Sequence, residues 1–127
     1  GKLKLATLER IALAVAEYYS SEPGIATHAR AARAAGLAID EVASARQFNS
    51  KDPREAALLR YLQALLEERG RAPMHLHEEA REAGWDDEQI LEAMAAMSLE
   101  AFTALVNVAG EVPVDGSNEA SRALQAA

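Results

Sequence analysis

The chain has 127 residues, 13 Lys and Arg against 20 Asp and Glu for a net charge of -7, and no cysteine. The length suits one domain that buries roughly two-thirds of its unfolded surface without covalent staples. The acidic balance argues against nucleic acid and against an anionic membrane surface as partners, because both demand a cationic footprint. Without cysteine there is no disulfide, thiol nucleophile or thiolate metal site.

Half of the residues are hydrophobic but only 5% are aromatic, and alanine, the best helix former, supplies much of the difference. Taken in order, Thr7 is placed to cap a helix running to about Ser20, apolar nearly all round and so expected to be buried. Ser21 to Gly36 reads as a second helix, with Pro23 in its first turn, His28 inside and Gly36 as its stop. Ile39 to about Arg46 is a short third helix. Asp52 caps the next, with Pro53 its first residue and Glu55 able to reach back; it ends at Gly70. Pro73 opens a helix that ends at Gly84. A long helix follows from about Asp87 to Val108, whose interior is read as Ile90, Leu91, Met94, Met97, Leu99, Phe102, Leu105 and Val106. Residues 110–118 read as a loop, and Ser117 to Ala126 as a short tail helix. No strand is expected. The fold class is all-α, with about six to seven helices in a single domain over 1–127 and a helical core over about 7–108.

The opening residues pair two lysines with apolar residues, but Glu9 and Arg10 interrupt the run. Ile11 to Ala16 is too short for the core of a signal peptide. No stretch reaches the ~20 apolar residues of a membrane span, so a soluble, cytoplasmic protein without membrane contact is expected. Two helices apolar on most faces exceed what one small domain covers. A homo-oligomer is therefore expected, with the long last helix near the interface.

Ala32-Arg33-Ala34-Ala35-Gly36-Leu37 recurs 48 residues on as Ala80-Arg81-Glu82-Ala83-Gly84-Trp85. This reads as a duplicated helical unit. At the same offset His28 corresponds to Leu76, and Glu9 to Ala57 or, with a slip of two, Leu59. Polar residues stand where the scaffold accepts hydrocarbon, and that desolvation calls for a reason.

With these motifs the chain resembles the alkylhydroperoxidase D-like and carboxymuconolactone decarboxylase superfamily of small all-α proteins. The resemblance runs through Leu8-Glu9-Arg10, His28-Ala29-Arg30-Ala31-Ala32, Ala35-Gly36-Leu37, Ala56-Ala57-Leu58-Leu59, Arg69-Gly70, Ala83-Gly84-Trp85, Ile90-Leu91-Glu92 and Phe102 to Asn107. It implies trimers or hexamers. It also implies that Glu9 and His28 match the glutamate and histidine of the peroxidase branch, whose Cys-x-x-Cys falls here on Ser21 and Gly24. Neither sulfur is present, and serine or glycine cannot run a dithiol cycle. The decarboxylase branch, which releases carbon dioxide from a carboxylated lactone, works without such a dithiol.

The expected function is acid–base chemistry on a small organic acid or lactone, a lyase rather than a dithiol peroxidase, with no cofactor. Two alternatives stand beside it: a non-catalytic binding or structural member, and the peroxide defence of the family's relatives. The candidate catalytic residues are His28, to move the proton, and Glu9, to orient it or hold its charge. Straight hairpin geometry places Glu17 opposite His28, whereas the resemblance places Glu9 there. Ser21, Gly24, Glu17 and Trp85 are candidates for the pocket wall, with capping the stronger role for Ser21 and packing against the end of its helix the stronger role for Trp85. His75 and His77 lie two apart on a helix, so their rings diverge, and no metal site is expected. Met94 and Met97 read as core filler.

Overall fold

The computed structural model describes residues 1–114, all of whose regular structure is helical: α1 (Leu5–Tyr18), α2 (Glu22–Ala34), α3 (Ile39–Ala45), α4 (Pro53–Glu67), α5 (Met74–Glu82) and α6 (Asp87–Ala109). The tail helix read over Ser117 to Ala126 lies outside the described residues.

Local chemistry sets most boundaries. Ser21 Oγ accepts the Gly24 N–H at the start of α2, and Asp52 accepts the Arg54 N–H at the start of α4. Both helices carry Pro in their first turn. Asp86 and Gln89 form a reciprocal capping box at α6. The first helix departs from expectation: it starts at Leu5 after Lys4, and Thr7, read as its cap, lies inside it. The Thr7 hydroxyl instead donates to Glu55 of α4 at 2.8 Å, a bond between elements that sequence periodicity does not report.

The glycine stops behave alike. Gly36 and Gly84 have φ of +100° and +109°, and the following N–H of Leu37 or Trp85 returns to Ala32 or Ala80 at 3.0 and 3.2 Å. That is the helix-ending pattern only a left-handed residue permits. The starts of α1 and α3 are also each followed by another helix start, that of α4 and α6, at the 48-residue spacing of the sequence motif.

Helix α1 runs through the middle. Ile11, Leu13, Ala14, Val15 and Ala16 are all essentially inaccessible, so both of its sides are covered. It packs on α2, α6, α3 and α4. One core gathers Ile11, Val15, Phe48, Leu58, Leu62, Trp85, Ile90 and Met97, and a smaller one behind α1 joins Leu13, Ala32, Leu37 and Ala45. Helix α6 departs from the expected interior. Ile90 and Met97 are buried and Met94 is partly so, but Leu91, Leu99, Phe102, Leu105 and Val106 face outward. The inward stripe is Ile90, Ala93, Met97, Glu100 and Ala104. Among the described residues α6 is also the one helix long and apolar enough to cross a membrane by length and composition, contrary to the expectation that no segment would be.

Candidate functional site

Adjacent helical residues point about 100° apart, and Leu8-Glu9-Arg10 uses this to serve two polar clusters. Glu9 turns toward α2. Its Oε2 lies 2.8 Å from Nδ1 of His28. The other ring nitrogen, Nε2, lies 3.1 Å from Oε2 of Glu100 on α6. One imidazole thus bridges two carboxylates drawn from three helices. The side chains of Glu9 and Glu100 are 14% and 10% exposed and that of His28 is 22% exposed, so the bridge is mostly shielded from water.

The bond from Glu100 raises the His28 pKa above its ordinary value; burial opposes that shift, and the bond from Glu9 adds to it. As an imidazolium the ring donates to both carboxylates, which leaves no nitrogen lone pair. The second oxygen of Glu100, Oε1, is buried with no hydrogen-bond partner. It lies beside Gly24: a Cβ there would stand 3.4 Å from it, 2.9 Å from Ser21 Oγ and 3.1 Å from the Ala16 methyl.

A cleft of about 300 Å³ opens on this bridge between α2 and the C-terminal half of α6, walled by Gly24, Thr27, His28, Arg30, Glu100 and Thr103, with Val112 and Val114 across the mouth. A neighbouring cleft of about 270 Å³ shares Pro23, Asn107 and Val112 with it. Ser21 lines that second cleft. Its hydroxyl accepts from the Gly24 N–H and from Asn107 Nδ2, each at 3.3 Å, and it makes no bond to His28.

Two sequence-based site residues belong elsewhere. Glu17 accepts Arg46 Nε and Nη2 at 3.2 and 3.0 Å, turned toward the end of α3 and away from His28. The straight-hairpin expectation fails because the ring meets the carboxylate of Glu9, two turns earlier on α1. Trp85 is 3% exposed, donates Nε1–H to the Arg54 carbonyl at 2.7 Å and carries the Arg54 guanidinium 4.0 Å above its ring. It walls a separate cleft of about 140 Å³ beside Thr7 and Glu55.

Arg10 turns to the other cluster. Its Nη1 donates to Glu41 and to Ser50, and Glu41 also accepts the Lys51 N–H at 2.9 Å. Burial alone would raise the Glu41 pKa; the bonds from Ser50, Lys51 and Arg10 overrule it and hold it at about 2. Glu55, nearby, is pushed up by burial, partly offset by its bond from Thr7. This cluster ties α1 to α3 and to the start of α4.

Around His75 and His77, the His77 ring lies 5.3 Å from that of Tyr61 and Glu79 pairs with Arg60. Among the described residues no group of three or more His, Asp or Glu side chains is arranged to hold a metal ion. Sequence reading missed Glu100, Thr27, Arg30, Thr103 and Asn107. Glu100 did leave a signal: it falls on the buried i, i+3, i+4 stripe of α6, an acid where the period calls for an apolar residue.

No protein-family model matches the chain, and no curated protein is significantly similar to it.

Proposed function

We propose that the chain is a cysteine-free member of the alkylhydroperoxidase D and carboxymuconolactone decarboxylase superfamily that performs acid–base chemistry on a small organic acid or lactone. The observation that carries this reading is the imidazole of His28, held between Glu9 and Glu100 on the wall of an open cleft. Such a bridge stores one proton among three groups and presents it to a ligand without a metal or a thiol. Dithiol peroxide reduction is not proposed, since the chain has no sulfur at Ser21 or Gly24.

The test is turnover of a panel of lactones and carboxylated lactones by the full chain in deuterated buffer, with ring opening, carbon dioxide release and C–H exchange followed by NMR. Saturable turnover that falls at least ~100-fold in His28→Gln supports the proposal. Rates equal to buffer across the panel, or rates indifferent to His28, overturn it.

The same reading includes a homo-oligomer, a trimer or hexamer. Its support is the outer face of α6, where Leu91, Leu99, Phe102 and Leu105 are each more than half exposed and Val106 lies beside them. With Ala95 and Ala109, also exposed, they line one side of the helix at spacings of three and four, the kind of stripe by which one helix packs against another. A second copy of this chain is the occupant proposed for that face.

A further inference from the structure

We infer that the second copy lays its own α6 antiparallel along the outer face of this one, about a two-fold axis that passes between the levels of Ser98 and Leu99. The inference rests on the homo-oligomer reading above and gives that assembly its symmetry.

Three features of the face carry it. The first is the distribution of bulk. Leu91, Ala95, Ser98, Phe102 and Ala109 fall within a sector of about 60° at 100° per residue, and all are exposed in the single chain. Phe102 and the small Ala95 stand seven residues apart in this sector, about 10 Å along the axis. Two such faces laid parallel and level would set Phe102 on Phe102 and Ala95 on Ala95, crowded at one level and empty at the other. Laid antiparallel, they seat each Phe102 over the Ala95 of the second copy, with Leu91 against Val106 and Ser98 against Leu99. Large then meets small at the centre of the contact, the condition for packing without voids or strain.

The second feature is Ser98, the polar residue in the middle of the sector. Its hydroxyl donates to the Met94 carbonyl of its own helix at 2.9 Å, so a second helix can cover it without stranding a donor. Its small side chain also lets two backbones come close near the axis.

The third is charge. The start of α6 carries Asp86, Asp87, Glu88 and Glu92, against which Lys2 and Arg81 set two cations. The last turn has no basic residue to receive them. Parallel helices would bring two such acidic ends side by side. Antiparallel helices hold them apart by most of the helix length, roughly 30 Å and well beyond the screening distance of physiological salt. The contact so formed is isologous. An even-numbered assembly such as a hexamer of two-fold pairs contains it. A trimer does not, because helices related by a three-fold axis cannot run antiparallel.

The test exploits the absence of cysteine, which lets each introduced thiol report without background. Ser98→Cys, Leu91→Cys, Val106→Cys and the double variant Leu91→Cys/Val106→Cys are made in the full chain. Light scattering under reducing conditions checks that each assembles as the parent does, and the air-oxidised samples are read on non-reducing gels. The antiparallel pair leaves the two copies of residue 91 about 22 Å apart, as it does those of residue 106, too far for a disulfide. Ser98→Cys is expected to give at least ~10-fold more covalent dimer than either single end variant, and the double variant is expected to recover the link. Self-linking at 91 and 106 alone would show parallel helices, and no link at any position in an assembled protein would place the contact elsewhere; each overturns the inference and leaves the oligomer standing. A parent that is monomeric at high micromolar concentration, whether or not it partitions into neutral vesicles, overturns both.

Discussion

Oε2 of Glu100 stands 3.1 Å from Nε2 of His28 across 72 residues of chain. It contributes more to the raised His28 pKa than Glu9 does, although Glu9 is nearer, at 2.8 Å. Removing either charge should therefore lower the histidine's pKa, and Glu100→Gln should lower it further than Glu9→Gln. An NMR titration of the ring Cε1–H signal in the three proteins measures this directly; equal falls would mean that the two carboxylates hold the proton equally, and no fall in either would place the controlling carboxylate elsewhere.

The same shift sets a pH dependence of stability. The folded protein holds the His28 proton more tightly than the unfolded chain, whose value is ~6.5. The stabilisation is thus complete below ~6.5 and is lost as pH rises through the higher folded value. Urea midpoints should decline over that window and flatten in His28→Gln. His28→Leu at pH 7 should lose roughly 3 kcal/mol, because two buried carboxylates are left facing each other without a cation. A leucine variant sturdier than the parent, with ligand binding and turnover unchanged, would mean that the histidine serves neither charge balance nor chemistry.

The Arg10–Glu41 pair works in the opposite direction. Glu41 is held at about 2, below its ordinary carboxylate value, so its contribution is present above ~4.5 and fades as pH falls toward 2. Glu41→Gln should cost on the order of 3 kcal/mol at pH 7, and less at pH 3, where the parent has begun to lose the same interaction. Denaturant unfolding at the two pH values decides it. A penalty that does not shrink in acid would mean that packing, not charge, makes the tie.

Gly24→Ala tests how closely the site is packed. The added methyl would come within 2.9 Å of Ser21 Oγ and 3.1 Å of the Ala16 Cβ, and neither is the far end of a flexible chain. A loss of about 1–3 kcal/mol by thermal or urea unfolding is expected. An unchanged melt would show that α1 and α2 separate easily at their junction.

Phe102→Glu addresses the outer face of α6. Phe102 is 68% exposed in the single chain and sits mid-stripe between Leu99 and Leu105. If a second copy covers that face, light scattering should show an assembly for the parent and a monomer for the variant, with its helical content kept. A parent that is monomeric at high micromolar concentration removes the proposed assembly, and partition of the parent into neutral vesicles would assign the face to lipid instead.

Much of the fold was legible because it is written in short-range chemistry. Asp52-Pro53, Asp86 with Gln89, and Gly36 and Gly84 act within one or two turns of chain, so reading neighbours suffices. Thr7 misled for the complementary reason: a hydroxyl near a helix start looks like a cap, and its real partner, Glu55, comes from another helix. Glu17 misled similarly, since Arg46 claims it from a distance.

The sequence by itself determined where most of the helices begin and end, that no thiol chemistry is available, and that Glu9 and His28 are polar residues set among apolar ones. Only the tertiary structure decided which side of α6 faces inward. A helix apolar on several faces has no hydrophobic phase to read, and its rotation is settled by what α1 and α2 leave to be filled. That rotation turns Leu99 and Phe102 out and brings Glu100 in against His28, so the carboxylate that completes the site exists as a neighbour only after the helices have packed.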